Sequence, residues 1–265
     1  MEILIPVLIL GVLGFLFGVG LSIASRKFAV KTDHRLETIV GLLPGANCGA
    51  CGGAGCFGFA EAILSGKMSV DACKVAEEKV KEKIAEVLGE KLEKKVKLVA
   101  TFHCGGGNKA KDKFLYKGEA DCVEANLLFA GQKSCFYGCL GFGNCVKACP
   151  FGAIKMSDEG IPVVDEAKCK GCNKCVLICP KKLFTLRPVT HKIHVACASH
   201  DLGREAAAAC PAGCIACRKC EQICPADAIK LINNLAVIDY KKCTSCGKCV
   251  EACPRKCIKK VSDKG

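Results

Sequence analysis

The chain has 265 residues, 25 of them cysteine, and a formal net charge of +13 at pH 7. So high a cysteine content is otherwise typical of small disulfide scaffolds, but this chain is too long for one such scaffold. Its cysteines also fall in tight groups, most of them followed by proline, which indicates thiolate ligands for metal rather than disulfides.

The positive charge does not predict a nucleic-acid-binding protein. Lysine and arginine lie among the cysteines with little aromatic interleaving, and aromatic residues make up only 6% of the chain. Tryptophan is absent, so the hydrophobic core formed by side chains must be small. We therefore expect metal ligation to supply much of the folding free energy, and no nucleic-acid partner.

Residues 3–24 carry no charge and are long enough, at about 1.5 Å per residue, to cross a bilayer. Basic residues follow at once: Arg26, Lys27, Lys31 and Arg35. The positive-inside rule then predicts a single-pass anchor over residues 1–25 in the inner (cytoplasmic) membrane, with the rest of the chain in the cytoplasm. Reduced thiolate ligands require the same compartment. The alternative, a cleaved signal peptide, would have a basic start and a shorter apolar core.

The next unit, residues 26–90, is predicted to hold one 4Fe–4S cluster. Its four cysteines have C-x2-C-x4-C-x16-C spacing, with glycines between them that allow a tight loop: Cys48, Cys51, Cys56 and Cys73. A helix is predicted from about Phe57 to Leu64, and an amphipathic helix over 75–88. Residues 91–134 are expected to form a connecting segment, with a strand at 96–102.

From Cys122 onward the sequence repeats itself. Nine cysteines recur 74 or 75 residues later, which indicates an internal duplication. Each copy contains a cysteine motif ending in Cys-Pro, a predicted hairpin, and a second such motif. The hairpins are expected at 153–165 and 228–239. This pattern predicts two ferredoxin-like pairs, over residues 135–190 and 191–265.

Three motifs have C-x2-C-x2-C-x3-C-P spacing, beginning at Cys169, Cys214 and Cys243. In such a motif the first three cysteines bind one cluster and the fourth reaches the neighbouring cluster. This crossover predicts three regular ligand sets: Cys149, Cys169, Cys172 and Cys175; Cys214, Cys217, Cys220 and Cys253; Cys224, Cys243, Cys246 and Cys249. Zinc is the alternative, but four-cysteine zinc sites use two C-x2-C pairs.

A fourth set in this region is irregular, because Phe142 stands where the duplicate has Cys217. Cys139, Cys145 and Cys179 are predicted ligands, and Cys135 is chosen for the missing corner, with Cys104 or Cys122 as substitutes. Five clusters are therefore expected in all. A sixth is left open by Cys104, Cys122, Cys197 and Cys210, for which inert thiols are the simpler interpretation. Cys257 is expected to be buried and to pack as a small apolar side chain, since the equivalent positions of the sister motifs are Ala153 and Ala228.

No other chemistry finds support in the sequence. There is no phosphate-binding loop and no convincing dinucleotide fingerprint. His103 adjoins Cys104 and could ligate or tune a cluster, although a plain structural role is the simpler interpretation. No catalytic acid or base is expected, so a two-electron reduction must be completed by a partner.

These features together resemble a known family. An uncharged N-terminal span followed by ASRKFAV, the segment LLPGANCGACGGAGCFGFAEAI, the motif GCLGFGNCVKACPFGAI and the tandem ferredoxin motifs resemble the RnfB family, the B subunits of Rnf ion-translocating ferredoxin–NAD oxidoreductase complexes. The resemblance covers nearly the whole chain. It implies a protein that accepts electrons from reduced ferredoxin and relays them to membrane-bound partners in the complex, where NAD reduction drives sodium ions or protons outward.

The expected fold class is α+β: a transmembrane helix, a small single-cluster domain and tandem two-cluster ferredoxin-like domains. Two rival functions remain at this stage. One is a membrane-tethered reductase that keeps a redox-sensing transcription regulator reduced. The other is an iron–sulfur storage or sensing protein with no electron partner.

Overall fold

A computed structural model describes residues 4–27, 33–90 and 96–261. It begins with helix α1 (Leu4–Lys27), within which Val7–Ser25 is long and apolar enough to cross a membrane. No part of this apolar stretch is buried against the protein. The predicted span is therefore a continuous helix, while Lys31 and the side chain of Arg26 lie outside the described residues.

Three helices pack into a small N-terminal domain: α2 (His34–Leu42), α3 (Gly55–Leu64) and α4 (Glu78–Leu88), with a 3₁₀ turn at Val70–Ala72. Their apolar faces meet in one core, in which Ile39 and Ile84 are fully buried and Phe59 nearly so. Both helices predicted in this region are confirmed. The C-terminus of α4 is closed by Gly89 in the left-handed conformation (φ +73°), which glycine adopts without a steric penalty.

The remainder of the chain combines short helices with two-stranded antiparallel sheets. The helices are α5 (Cys122–Leu127), α6 (Asn144–Lys147), α7 (Lys174–Ile178), α8 (Gly203–Ala209), α9 (Lys219–Gln222) and α10 (Lys248–Ala252). A further 3₁₀ turn lies at Gly107–Lys109. Helices α6, α7, α9 and α10 each begin just before the third cysteine of a motif, after a residue with positive φ: Gly143, Asn173, Arg218 and Gly247.

Two of the sheets are the predicted hairpins. Strand β2 (Ile154–Met156) pairs with β3 (Pro162–Val164), and β6 (Ile229–Ile232) pairs with β7 (Leu235–Ile238). Each hairpin connects the two motifs of one copy, as the duplication predicts. The Asn233–Asn234 turn has positive φ at both residues, a conformation that asparagine tolerates better than most residues.

The other two sheets join distant parts of the sequence. Strand β1 (Leu98–Phe102), predicted from the sequence, pairs with β4 (Phe184–Pro188) from the end of the first ferredoxin-like pair. Strand β5 (Ile193–Val195) pairs with β8 (Ile258–Lys260) near the C-terminus. The predicted connecting segment is therefore part of the sheet structure that positions the cysteine motifs.

Two further cores lie in this region, and cysteines are members of both. One is centred on Val99, Leu183 and Phe184, the other on Ile193, Ile229 and Ile258. Phe151 packs against both the N-terminal core and the first of these two. The cysteine side chains thus occupy the positions that aliphatic residues would fill in a larger core.

Candidate metal centres

The N-terminal cysteines converge as predicted. Cys48, Cys51, Cys56 and Cys73, here called site 1, line one small cavity together with Phe59 and residues of the glycine-rich loop. The loop is fixed by Asn47, whose side-chain oxygen accepts a hydrogen bond from the Cys56 amide at 2.8 Å. Gly55 has φ +76°, and a Cβ there would lie 2.9 Å from that oxygen, so the loop requires glycine.

A second small cavity is lined by the crossover set Cys214, Cys217, Cys220 and Cys253, here called site 4. Cys257 also lies against it and is buried, as expected for packing.

The other two regular sets are also brought together. In site 2 (Cys149, Cys169, Cys172 and Cys175), burial raises the pKa of Cys175 to about 12, and negative charge on its three partners adds to the rise. In site 5 (Cys224, Cys243, Cys246 and Cys249), burial and the same kind of neighbours raise the pKa of Cys249 to about 11. Thiols with such pKa values stay protonated near neutral pH unless a metal displaces the proton.

The irregular set lines a third small cavity, here called site 3. The cysteines that line it are Cys122, Cys139, Cys145 and Cys179; Cys135, the first choice for the missing corner, is not among them. The substitute Cys122 is held there by Asn144, whose side-chain oxygen accepts a hydrogen bond from the Cys122 amide at 3.0 Å. Asn144 in turn donates to Asp121 at 2.5 Å.

Phe142, at the position of the absent motif cysteine, packs against Tyr116 with the rings tilted and their centroids 5.4 Å apart. The sequence predicted three of the cavity's cysteines from motif spacing. It could not select the fourth, because Cys122 lies outside the motif and reaches the cavity through helix α5. Cys135 lies instead in a separate group of thiols with Cys104, Cys197 and Cys210.

Backbone amides donate hydrogen bonds to several of these sulfur atoms. Cys169, Cys179, Cys224 and Cys243 each accept one such bond, with N···Sγ distances of 3.3–3.4 Å. Amide hydrogen bonds to ligand sulfurs are among the features that set the reduction potential of an iron–sulfur cluster. The environment of these four thiols therefore suits cluster ligands.

All 25 cysteines are described, and all are free thiols. Among the described residues, no three cysteine, histidine or acidic side chains converge closely enough to share one metal ion. Ligands of a single zinc ion would all lie about 2.3 Å from it. Four thiols spaced too widely to share one ion fit a cluster, in which each thiolate binds a different iron atom. The donor chemistry and the cavities thus favour 4Fe–4S clusters over zinc.

His103 is not available as a ligand. Its two ring nitrogens are hydrogen-bonded to the Val195 carbonyl and the Thr185 hydroxyl, both at 2.7 Å. Burial lowers the pKa of His103, which favours the neutral ring. The residue therefore joins the end of β1 to β4 and β5, in agreement with the structural role that the sequence favoured.

Family models match three segments of the chain. Residues 43–75 match an Fe–S cluster family, and residues 137–183 and 208–254 each match a 4Fe–4S dicluster domain. The first segment contains site 1, and the other two correspond to the duplicated halves. The fold therefore comprises one Fe–S domain and two 4Fe–4S dicluster domains after an apolar N-terminal helix.

Curated relatives extend over most of the chain. The B subunit of a Na⁺-translocating ferredoxin:NAD⁺ oxidoreductase complex from Acetobacterium woodii is 45% identical over 242 residues, which is 91% of this chain and 73% of the relative. The B subunit of an ion-translocating oxidoreductase complex from Methanosarcina acetivorans is 43% identical (88% and 89%). The B subunit of a proton-translocating ferredoxin:NAD⁺ oxidoreductase complex from Clostridium ljungdahlii is 40% identical (90% and 84%).

Proposed function

Since the chain belongs to the family of B subunits of ion-translocating oxidoreductase complexes, we propose that it carries electrons from reduced ferredoxin toward the other subunits of such a complex. The complex would couple reduction of NAD to translocation of sodium ions or protons. The observation that carries this proposal is the row of cysteine-lined sites on a chain with one membrane-length helix.

In this proposal sites 1 to 5 each hold one 4Fe–4S cluster. Such a cluster supplies a carrier for a single electron and needs no acid or base from the protein. The residues of this chain hold the clusters, exclude water from them and supply the amide hydrogen bonds to their sulfurs. At site 3 the fourth ligand is Cys122, with Cys135 released for another role. The proposed units remain 1–25, 26–90, 91–134, 135–190 and 191–265.

The C-terminal end of the row is the proposed side for ferredoxin. Of the 25 cysteines only Cys217 of site 4 and Cys246 of site 5 are exposed. Three exposed lysines flank the site 5 motif: Lys241, Lys242 and Lys248. An acidic ferredoxin would be attracted to such a surface, and complementary charge accelerates the formation of an encounter complex.

The other end of the row is the proposed side for the membrane subunits. Site 1 lies in the domain that follows α1, and negative charge at Cys48 acts on Cys172 of site 2, so these two sites are neighbours. We propose that α1 crosses the cytoplasmic membrane once and leaves the cluster domains in the cytoplasm. The positive-inside rule supports this orientation.

The test is anaerobic rapid mixing of the full-length, cluster-loaded chain with reduced ferredoxin. The absorbance of the oxidised clusters is followed, and samples are frozen for electron paramagnetic resonance (EPR) spectroscopy. Bleaching of several clusters within seconds supports the proposal. Fully loaded clusters that dithionite reduces but ferredoxin does not would rule out ferredoxin as the donor.

A further inference from the structure

Four cysteines outside sites 1 to 5 meet at the junction of the two ferredoxin-like pairs. Cys104 follows strand β1, Cys135 precedes α6, Cys197 follows β5 and Cys210 follows α8. The last three are buried, and Cys104 is half-buried. Their sequence separations contain no motif, so only the fold brings them together.

Hydrogen bonds fix the four loops against one another. His103, next to Cys104, bonds to the carbonyl of Val195, two residues before Cys197. In addition, the Lys111 amide donates to the carbonyl of Ala209 at 3.1 Å. The Lys111 carbonyl in turn accepts from the amide of Ser134 at 2.8 Å. Lys111 thereby joins the residue before Cys210 to the residue before Cys135.

Gly106 provides space inside this group. A Cβ atom at this position would lie 2.9 Å from the Cys210 sulfur and 3.8 Å from the Cys104 sulfur. Two of the four sulfur atoms therefore lie close to Gly106, and a larger side chain at this position would occupy the space between the thiols. The loop therefore needs glycine here to keep that space open.

The electrostatic surroundings of the group resemble those of sites 1 to 5. Cys135 is buried and lies near enough to Cys104, Cys197 and Cys210 to interact electrostatically with all three. The Cys197 sulfur accepts two amide hydrogen bonds, from Ser199 at 3.5 Å and from Cys214 at 3.3 Å. These are the same kind of bonds that four of the motif cysteines receive.

A positive side chain lies close by. The Lys181 ammonium donates to the carbonyls of Ala130 and Phe136, both at 2.6 Å, and interacts electrostatically with both Cys135 and Cys179. Four thiolates around a cluster carry net negative charge, which a half-buried ammonium between two such groups would offset.

We propose that Cys104, Cys135, Cys197 and Cys210 hold a sixth 4Fe–4S cluster, here called site 6, between the two ferredoxin-like pairs. The site goes beyond the five assigned above, and its role as a link rests on the proposed electron-carrier function. Cys139 of site 3 is near Cys104, and the amide of Cys214 of site 4 bonds directly to Cys197. Site 6 therefore adjoins both pairs and makes the row of sites continuous.

The assignment also accounts for the cysteine content. Six sets of four include every cysteine except Cys257, whose counterparts in sister motifs are Ala153 and Ala228. Cys257→Ala is consequently a matched control, because alanine already fills that position elsewhere in the chain. Cys197 and Cys210 are the diagnostic pair, because no five-cluster arrangement assigns them a ligand role.

The experiment compares the full-length wild type, the double variant Cys197→Ala/Cys210→Ala and the control Cys257→Ala. All three are purified anaerobically in detergent and reconstituted with iron and sulfide. Iron, acid-labile sulfide and the integrated EPR spin of the dithionite-reduced protein are measured per chain. We expect about 24 iron atoms in the wild type and the control, and about 20 in the double variant, since each cluster holds four. The spin should fall in proportion.

Equal iron and spin in the double variant and the wild type would overturn the inference. If the double variant does not fold, the iron content of the reconstituted wild type provides the test. Saturation at about 20 iron atoms per chain, with an integrated spin that five clusters explain, would contradict site 6. The outcome is separable from that of the proposed function. If the wild type binds about 24 iron atoms but ferredoxin cannot reduce it, site 6 is supported and ferredoxin is excluded as the donor. If ferredoxin reduces the wild type rapidly but only about 20 iron atoms are bound, ferredoxin is supported as the donor and site 6 is excluded.

Discussion

The guanidinium of Arg187, which is 1% exposed, forms an ion pair with the carboxylate of Glu166. Arg187 lies in strand β4, and Glu166 lies three residues before the site 2 ligand Cys169. The same guanidinium donates to the Pro188 carbonyl at 3.2 Å and to the His191 carbonyl. The pair thus fixes the loop that delivers Cys169 against the sheet formed by β1 and β4.

Replacing Glu166 by glutamine should destabilise the protein strongly. The substitution leaves the buried Arg187 charge uncompensated, and breaking a buried pair in this way costs about 3–5 kcal/mol. For a chain of this size the apparent melting temperature should fall by roughly 10 °C. The measurement is the loss of cluster absorbance on heating at a fixed scan rate.

The control for this prediction is Asp227→Asn, which breaks the exposed pair between Asp227 and Lys230. Exposed ion pairs contribute little to stability, so the melting temperature should not change measurably. Equal shifts in the two variants would contradict the role assigned to the buried pair.

Cys122 and Cys135 should be ligands of two different clusters. We expect Cys122→Ala to disrupt site 3 and Cys135→Ala to disrupt site 6, so each variant loses up to about four iron atoms per chain. The double variant Cys122→Ala/Cys135→Ala should lose the sum of the two. If both residues served one cluster, the double variant would lose no more iron than the more severe single variant.

Spectra provide the second criterion for these two variants. A cluster that loses one ligand can be retained as a three-iron form, whose EPR signal appears in the oxidised protein. If only one single variant shows this signal and the other keeps its full iron content, the cysteine replaced in the second variant is not a cluster ligand.

Reduction by ferredoxin should depend on the charges beside site 5. Changing the exposed residues Lys241 and Lys242 to glutamate reverses the attraction for an acidic partner, so the second-order rate constant should fall about tenfold or more at low salt. Raising the ionic strength should reduce the difference between variant and wild type, because salt screens exposed charges. Stopped-flow mixing over a range of salt concentrations measures both effects.

The matched control reverses two exposed lysines of helix α4, Lys79 and Lys83, which changes the net charge by the same amount. A rate equal to that of the wild type is expected. A similar fall in both double variants would show that overall charge, and not the surface beside site 5, controls the encounter.

The sequence could predict those parts of the fold whose signals are local. The ligands of sites 1, 2, 4 and 5 are confined to motifs and their crossover partners, and the hairpins between motifs have alternating apolar residues. Site 3 departed from this pattern because Phe142 replaces a motif cysteine and Cys122 comes from a separate helix. The recurrence of Cys122 and Cys135 as Cys197 and Cys210 was visible, but spacing alone could not show which sulfur atoms meet.

The sheets show the same limit. Strand β1 could be predicted from its apolar residues, but its pairing with β4 depends on residues more than eighty positions away. Strands β5 and β8 pair across more than sixty positions of the sequence. These two sheets are the elements that bring Cys104 and Cys197 together. The site that the sequence left open is therefore the one that depends most on long-range contacts.

Removal of the metal should unfold the cluster domains. Cysteines are members of the two cores around Val99 and Ile193, and the thiols with raised pKa values are buried where clusters would replace their protons. An apo chain must fill these cavities with protonated thiols or water, which cannot replace the free energy of metal ligation. We expect an anaerobic iron chelator to abolish most near-ultraviolet circular dichroism and to make residues 96–261 sensitive to protease.

Helix α1 should keep its helical signal in detergent micelles, since its backbone hydrogen bonds are internal and none of its apolar residues pack on the cluster domains. An apo protein that retains native protease resistance over 96–261 would show that side-chain packing alone is sufficient to hold the fold.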